Sequence, residues 1–365
     1  MRAGIYAALS ASALVWGCVD EPCGAAREVC AVVGTGELGF NRDGLAPGET
    51  DLFLVSVARR GPDELLYFMD FNNQRLRRIG PEGRVETLVG DGFHAIASVG
   101  VPLLETPLEN PIDFDFLGDG RIVFVSYHDP RVLEVGADGV LHTLAGAADG
   151  VVGERGDEGD GGPASEALFI QLDGIAVGPG DVIYVSDSKA NRVRRIRDGV
   201  ITTVAGDGEK RLAGDGGPGT AASLNWPTGL ALGPAGALFI ADTFNHAVRR
   251  LDADGTITSV VGTGVEGGGG DGGPARAAQL SQPFGVAAEA DGTLYVADRG
   301  NFKVRRVDPE GVIDTLAGTG EEGASGDGGP ARAATFGYLA RVTVDGDDLL
   351  VADQSNSRVR RVVLR

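Results

Sequence analysis

The sequence GDGGPARAAQLSQPFGVAAEADGTLYVADRGNFKVRR occupies residues 270–306 and contains the repeated phrase that decides the fold. Its opening Gly-Asp-Gly-Gly-Pro block occurs four times, at intervals of 55, 56 and 56 residues, beginning at Gly159, Gly214, Gly270 and Gly326. A fixed period of this length indicates a chain built from copies of one supersecondary unit.

Each unit reads as four short strands. Between two of the glycine-rich blocks lie the apolar runs GLALG, ALFIAD, AVRRL and TITSVVG, at residues 229–233, 237–242, 247–251 and 256–262. Val, Ile, Leu and Phe separated by Gly, Asp, Asn and Pro are typical of strands and turns. Four antiparallel strands per unit in a closed ring predict an all-β fold, the β-propeller.

The number of blades follows from the apolar run that ends in Asp or Ser. It occurs six times, ending at Asp70, Ser126, Asp187, Asp242, Asp298 and Asp353. Residues 29–36, VCAVVGTG, match the fourth-strand sequence VVGTG at residues 260–264. We therefore expect six blades in residues 28–365, with the N-terminal strand completing the last blade and protecting its edge.

The blade sequence resembles the NHL-repeat family, whose blades read Pro-x-Gly-Val-Ala-Val, Leu-Tyr-Val-Ala-Asp and Asn-x-x-Val-Arg-Arg. The matching segments are PFGVAA, LYVAD and NFKVRR, at residues 283–288, 294–298 and 301–306. The Gly-Asp-Gly-Gly-Pro form is similar to a bacterial branch related to the teneurin propeller. Known NHL propellers mostly bind proteins or nucleic acid, and a few relatives are metal-dependent lyases or lactonases, so the resemblance leaves the function open.

The first two blades depart from this pattern. Blade 2 reads FVSYHDPRVLEV at residues 124–135, without the Asp and the Arg pair, and neither blade is preceded by GDGGPA. Either these blades have drifted under weaker constraint, or they carry the specific contact surface.

The N-terminus predicts export. Residues 1–17 combine Arg2 with an apolar stretch too short to span a bilayer, which is typical of a signal peptide. Val15-Trp16-Gly17-Cys18 resembles a lipobox, so we expect Cys18 to be lipidated, residues 18–27 to form a short tether, and the protein to be an envelope lipoprotein, periplasmic or surface-exposed. An ordinary secretory leader is the alternative. Cys23 and Cys30 then remain as a candidate disulfide in an oxidising compartment.

Charge restricts the partners. A formal net charge of −20 and a pI near 4.6 argue against nucleic acid, because phosphate binding requires a basic patch. We expect a monomer that contacts membranes only through its lipid anchor. The partner predicted is a protein or a carbohydrate, without a cofactor.

The repeated aspartates and arginines have two interpretations. The strand-two residues Asp70, Asp187, Asp242, Asp298 and Asp353 share one face with Asp160, Asp215, Asp271 and Asp327 of the glycine-rich loops, which predicts a strongly acidic face. Such a face would attract cations, Ca²⁺ included, or a basic partner. Alternatively each loop Asp caps its own turn, and each strand-two Asp pairs with the Arg of strand three.

The first strand of each blade should line the central channel, where most copies carry Gly and Ala. Asp113 and Arg341 stand where other blades have Gly174, Gly229 and Gly285, and Asp173 is adjacent. These charged groups either bind a small polar ligand or pair with each other and plug the channel, since a buried charge usually has an opposite partner.

Few residues suggest catalysis. The four histidines, His94, His128, His142 and His246, have no metal-ligand spacing, although His94 and His128 fall in loops on the acidic face. Glu109, Asn110, Asp113 and Asp173 could imitate the metal ligands that the gluconolactonase resemblance implies, but they come from only two blades. We predict a binding or scaffolding module; the alternative is a divalent-metal-dependent hydrolase or lyase with its site at the channel mouth.

Overall fold

The computed structural model describes Cys23, residues 25–147 and residues 158–365. Its strands form six antiparallel sheets. The first strands of neighbouring sheets contact one another in a closed cycle of six. The chain is therefore a six-bladed β-propeller with four-stranded blades, as the repeat predicts, and the strands of each blade are called A to D from the axis outward.

In blades 1 to 5, strands A to D follow one another in the sequence. The N-terminal strand is β1 (Glu28–Val33). Blade 1 contains β2 (Val55–Arg60), β3 (Leu66–Asp70), β4 (Arg75–Ile79) and β5 (Val85–Val89). Blade 2 contains β6 (Pro111–Phe116), β7 (Ile122–Ser126), β8 (Val132–Val135) and β9 (Leu141–Ala145). Blade 3 contains β10 (Leu172–Gly178), β11 (Val182–Asp187), β12 (Arg192–Arg197) and β13 (Val200–Ala205).

The last three blades include two additional short strands. Blade 4 contains β14 (Gly217–Pro218), β15 (Pro227–Leu232), β16 (Leu238–Asp242), β17 (Ala247–Leu251) and β18 (Thr256–Val261). Blade 5 contains β19 (Pro283–Ala288), β20 (Leu294–Asp298), β21 (Lys303–Val307) and β22 (Ile313–Ala317). Blade 6 contains β23 (Gly329–Pro330), β24 (Leu339–Asp345), β25 (Asp348–Asp353) and β26 (Arg358–Val363).

Short 3-10 helices occupy many of the connections, and within the described residues each is three residues long. Their bounds are Pro47–Glu49, Phe71–Asn73, Ala164–Glu166, Gly219–Ala221, Pro234–Gly236, Thr243–Asn245, Ala275–Ala277, Arg299–Asn301, Ala331–Ala333 and Gln354–Asn356. In the part of the chain that the structure describes, no helix is long and apolar enough to cross a membrane.

The ring closes through the N-terminal strand. β1 pairs antiparallel with β26, with Val29 opposite Val362 and Ala31 opposite Arg360, so it is strand D of blade 6. This confirms the closure predicted from the VCAVVGTG match. A disulfide joins Cys23 to Cys30 of β1, with 6.3 Å between their Cα atoms. The predicted leader and Cys18 lie outside the described residues.

The core is divided among the blade interfaces. Six clusters of buried apolar side chains lie between consecutive blades, and the cluster at the closing interface joins Leu350 of blade 6 to Phe68 of blade 1. Because each cluster needs strands from two blades, no blade can bury its apolar faces alone.

The Gly-Asp-Gly-Gly-Pro block protects the outer edge of the blade that follows it. β14 pairs with β18, and β23 pairs with β1. In blade 5 the block forms a bridge from Pro274 to Val312, with backbone hydrogen bonds on either side of it. Gly270 and Gly272 have φ angles of 103° and 77°, a left-handed region that favours glycine. The block is therefore an edge cover, which limits strand-to-strand aggregation.

The B–C loops and the D–A connections between blades emerge at the same ends of the strands. We call this side the upper face; it comprises residues 71–74, 127–131, 188–191, 243–246, 299–302 and 354–357, with the connections 34–54, 90–110, 206–226, 262–282 and 318–338.

Candidate functional site

The channel is narrow because neighbouring A strands approach closely. A Cβ added at Gly229 would lie 2.7 Å from the backbone oxygen of Phe284, and one added at Gly285 would lie 2.7 Å from that of Ala340. Glycine is required at these positions because no side chain fits between the two backbones. Asp113 and Arg341 replace this glycine in blades 2 and 6, so their side chains need space within the channel.

Arg341 closes the channel by contacting three other blades. Its Nε donates to Oδ2 of Asp113 at 3.2 Å, its Nη1 donates to the backbone oxygen of Phe284 at 2.8 Å, and its Nη2 donates to the backbone oxygen of Asp173. Arg59 of blade 1 donates to the other Asp113 oxygen at 3.1 Å. Asp113 and Arg341 are buried, so of the two interpretations left open by the sequence the structure contains the ion-paired plug.

Asp173 does not complete a metal site with these groups. It is fully buried, and burial raises its pKa despite hydrogen bonds from Ser188 and Gln171 and the charge of Arg341. Asn110 donates instead to the side chain of Asn72 at 3.0 Å. Because Asp113 is occupied by two arginines, the gluconolactonase-like set of Glu109, Asn110, Asp113 and Asp173 is not brought to one point.

A cavity of about 230 Å³ lies within the channel and is lined by the A strands of all six blades. Its lining includes Arg59 and Asp115 among mostly apolar residues such as Leu230 and Val286. Burial raises the pKa of Asp115, although the charge of Arg59 and a hydrogen bond from the backbone of Val177 oppose this. The lining thus offers one arginine that is already paired and few free polar groups.

The strand-two aspartates form a structural network. In blade 5, Asp298 accepts hydrogen bonds from Asn301 at 2.8 Å and from Arg305 at 3.1 Å. The same Asp, Asn and Arg, at positions i, i+3 and i+7, recur in blades 1, 4 and 6 at Asp70/Asn73/Arg77, Asp242/Asn245/Arg249 and Asp353/Asn356/Arg360. This arrangement explains why the repeat keeps these three residue types, and it confirms the predicted Asp–Arg pairing.

The expectation of a strongly acidic face is wrong for these five aspartates. Asp70, Asp187, Asp242, Asp298 and Asp353 are each 0% exposed, so they present no charge to solvent. Burial outweighs the nearby hydrogen bonds and arginine charges and raises the pKa of Asp298 to about 6.

The loop aspartates also have a different role from the predicted turn cap. Asp271 accepts from Arg305 Nη2 at 2.6 Å and from Thr315 of strand D at 2.7 Å. Asp160, Asp215 and Asp327 contact the equivalent arginines, Arg194, Arg249 and Arg360. In blade 1, which lacks GDGGPA, Asp43 contacts Arg77 at 3.0 Å in the same way. Each of these aspartates therefore ties the edge cover to its blade.

Blade 2 replaces the missing network with a local pair. Asp129 and Arg131 form two hydrogen bonds of 2.7 Å, and both side chains are largely buried. Arg131 also donates to the backbone oxygen of Ala97 at 2.7 Å. The Asp-Pro-Arg sequence at residues 129–131 was the only signal for this pair, because it does not fit the repeat spacing.

The upper face of blade 2 brings two histidines and a glutamate together. His94 Nε2 lies 2.7 Å from Glu109 Oε1, and His128 Nδ1 lies 3.1 Å from the same oxygen. His94 and His128 are 56% and 41% exposed, whereas Glu109 is 15% exposed. Among the described residues, this is the one cluster of three His, Cys, Asp or Glu side chains with the geometry to hold a metal ion.

Exposed apolar side chains also concentrate on the upper face. Phe93 is 73% exposed beside His94, and Phe244 is 45% and Tyr338 is 44% exposed. Val265 occupies the position of Phe93 in another D–A connection, and Leu38 occupies the position of His94 in a third; they are 57% and 59% exposed. Several exposed apolar groups on one face are typical of an interaction surface.

The ring of six four-stranded blades with repeated Asp, Asn and Arg defines an NHL-type β-propeller. The family model of the teneurin NHL domain matches residues 264–325. Human Teneurin-4 is 28% identical over 359 residues, which is 87% of this chain and 12% of that protein. Repeat sequence, the local match to the family model and the architecture together support an NHL-repeat β-propeller.

A second relative matches a smaller part of this chain. Protein SUPPRESSOR OF QUENCHING 1, chloroplastic, of Arabidopsis thaliana is 27% identical over 264 residues, covering 69% of this chain and 24% of that protein. The chain thus spans about a quarter or less of the length of these curated relatives.

Solved structures with the same fold include both binding proteins and enzymes. An auxiliary nutrient binding protein from Bacteroides thetaiotaomicron has a TM-score of 0.64 at 16% identity, covering 91% of this chain and 75% of that chain. A gluconolactonase from Xanthomonas campestris has a TM-score of 0.59 at 13% identity, with coverage of 96% and 98%. Virginiamycin B lyase from Staphylococcus aureus has a TM-score of 0.52 at 16% identity, with coverage of 85% and 80%. At these identities the likeness establishes the fold alone.

Proposed function

We propose that this propeller is a non-catalytic binding module at the cell envelope and that its upper face docks a protein partner. The observation that carries the proposal is the set of exposed apolar residues on this face, with Phe93 the most exposed of them. Exposed aromatic groups are favoured anchors of protein interfaces.

A protein fits this face better than the carbohydrate that the sequence left open. Leu38 and Val265 are aliphatic, and sugars offer them few apolar contacts, whereas a protein interface buries such groups in its centre. The net charge of −20 disfavours nucleic acid as the ligand.

The closed channel supports a role without catalysis at the axis. Arg341 and Asp113 occupy the channel and are paired with each other. The neighbour described as an auxiliary nutrient binding protein supports a binding role for the fold, while the gluconolactonase neighbour carries no such ligand set over to this chain.

Lipidation at Cys18 would present the propeller at a membrane surface as a monomer on a short tether. The test is metabolic labelling with a fatty-acid analogue in the native host. Label on the wild-type protein and its loss in Cys18→Ala supports the anchor, and equal label in both proteins would overturn it.

Site-specific photocrosslinking in intact cells tests the docking face. A photoreactive phenylalanine analogue is placed at Phe93, Phe244 or Tyr338, with Val312 as the control. Val312 is 38% exposed and lies beside the C–D turn of blade 5, at the opposite ends of the strands. We expect an adduct of one defined mass from the upper-face positions and none from Val312.

The identified partner is then purified and its affinity for the propeller is measured. Phe244→Ser and Phe93→Ser should each weaken binding by roughly tenfold or more, as expected for aromatic anchors. Adducts that form equally from Val312, or affinity unchanged in both serine variants, would contradict the proposal.

A further inference from the structure

We propose that His94 Nε2, Glu109 Oε1 and His128 Nδ1 bind one Zn²⁺ ion on the upper face of blade 2. The three ligand atoms lie within 4.8 Å of one another, and both imidazole nitrogens face the same carboxylate oxygen. Two histidines and one glutamate form a ligand set suited to zinc, with a fourth position open to solvent.

The distances fit a shared ion after a small adjustment. Zinc bonds to His nitrogen and carboxylate oxygen are about 2.0–2.2 Å long, so tetrahedral ligand atoms stand roughly 3.3 Å apart. The nitrogen-to-oxygen separations of 2.7 and 3.1 Å are slightly shorter than this. Both histidines are partly exposed, so their rings have room to move apart by the required few tenths of an ångström.

Backbone contacts hold the ligands in place. His94 forms a parallel bridge with Leu108, the residue before Glu109. Tyr127, the residue before His128, donates its backbone N–H to the oxygen of Asn110 at 2.9 Å. These contacts place residues 94, 109 and 128 side by side through the fold, so convergence of the three side chains does not depend on a chance meeting of loops.

The other blades provide an internal comparison. In blade 5, Glu266 forms the equivalent bridge with Leu280, Ser281 stands in the place of Glu109, and Gly300 stands two residues beyond the end of strand B, as His128 does. The Ser281 hydroxyl donates a hydrogen bond to the Glu266 carboxylate at 2.8 Å. The repeated framework is thus present without imidazoles in blade 5, and blade 2 carries the zinc ligands, which favours specialisation of this blade over drift.

The ligand types of the His94, Glu109 and His128 cluster differ from those of the acidic loops. Ca²⁺ and Mg²⁺ prefer oxygen ligands, whereas imidazole selects zinc and related transition metals. The open fourth position lies on the same face as Phe93, so the ion can accept a donor atom from a bound molecule. The site does not depend on the docking proposal, because the three ligands belong to this chain.

The test is calorimetric titration of the purified full-length protein with Zn²⁺. We expect one site, with affinity reduced by at least roughly tenfold in His94→Ala, His128→Ala and Glu109→Gln, the loss of about 1.4 kcal/mol or more. His142→Ala is the matched control, since His142 forms an exposed pair with Asp138 at 3.0 Å but has no third ligand in the metal-capable cluster. It should bind zinc as the wild type does.

Two further measurements distinguish loss of the metal site from misfolding of a variant. Co²⁺ should bind the same site and give the visible absorption of nitrogen and oxygen coordination, which the three ligand variants lose. Thermal melts without metal should be similar in all variants, which excludes misfolding as the cause. Zinc affinity unchanged in the ligand variants, affinity lost in Asp113→Ala but kept in His94→Ala, or no zinc binding to the wild type would each overturn the proposal. Crosslinking of the docking face is performed with a chelator present, so its result is independent of this one.

Discussion

Arg305 and Asp298 form an ion pair in which neither side chain is exposed, with 3.1 Å between Nη1 and Oδ2. The second guanidinium nitrogen, Nη2, lies 2.6 Å from Asp271 Oδ1. One arginine therefore joins strand C to the end of strand B and to the glycine-rich edge cover. Its equivalents, Arg77, Arg249 and Arg360, make both contacts in their own blades.

Loss of this arginine should destabilise blade 5. Arg305→Met leaves two aspartates without their cation, and removing one partner of a buried ion pair costs about 3–5 kcal/mol. The measurement is the urea midpoint of unfolding. Arg306→Met, a change at the half-buried neighbouring position, is the control and should cost less than about 1 kcal/mol.

A double variant separates charge from packing. Asp298→Asn combined with Arg305→Met removes both buried charges, so its destabilisation should be smaller than the sum of the two single changes. Strict additivity would mean that the two side chains do not depend on each other in the folded protein.

The pKa values of the two carboxylates beside Arg305 should be shifted in opposite directions. Burial raises the pKa of Asp298 to about 6. Partial burial also acts on Asp271, but hydrogen bonds from Thr315 and the charge of Arg305 outweigh it and lower its pKa below 3.8. Carboxyl chemical shifts followed by NMR between pH 3 and 8 should resolve this difference.

The two pKa shifts determine how each carboxylate changes the stability of the folded protein with pH. The folded pKa of Asp298 exceeds its unfolded value, so its contribution is present at low pH and is lost as pH rises through about 6. Asp271 contributes stability above its unfolded pKa and loses it as pH falls through the folded value. Equal pKa values for the two groups would contradict the assignment.

The channel plug should behave as a coupled pair. Arg341→Gly restores the glycine of the other blades but leaves Asp113 with Arg59 alone, so we expect destabilisation of about 3 kcal/mol or more. The double variant Asp113→Gly/Arg341→Gly should recover part of this loss in a thermal melt. If the double variant is as unstable as the sum of the single variants, the pair is not coupled.

The closing strand should be essential for a soluble ring. Deletion of residues 28–36 exposes the edge of β26 and removes Val29 and Val33, both 0% exposed, from the core. We expect aggregation or loss of the cooperative melt. Val33→Asp should have a similar effect, whereas Ala31→Asp, at a half-buried position of the same strand, is the milder control. A deletion protein that stays soluble and melts like the wild type would show that the ring closes without β1.

The sequence predicted the fold because the repeat specifies it several times over. The runs ending at Asp242 and Asp298 occur in the same context in successive copies, so strand order and number follow from one unit. The match of residues 29–36 to a fourth strand likewise predicted the closure that β1 makes with β26. Pairing of strand-two Asp with strand-three Arg was predictable because neighbouring antiparallel strands bring these residues close together. Asp298 lies opposite Lys303, and Arg305 is two residues further along the same strand.

Exposure was harder to predict than pairing. The acidic face failed as an expectation for Asp298 and its equivalents, because their distance from solvent depends on how the edge cover closes over the arginine. The pair of Asp129 and Arg131 was missed because it uses two turn positions, on either side of Pro130, that lie outside the repeat spacing.

By itself, the sequence determined the six-bladed ring, its closure and the repeated Asp–Arg pairs, since these arise between neighbouring strands of one blade and the blade pattern recurs along the chain. Only the tertiary structure decided that Arg341 reaches Asp113 two blades away and that His94, Glu109 and His128 converge. Those contacts join segments from different blades or connections, so they depend on the twist and closure of the whole ring. A periodic sequence defines its unit through local contacts, whereas the places where copies differ acquire their neighbours only when the ring is complete.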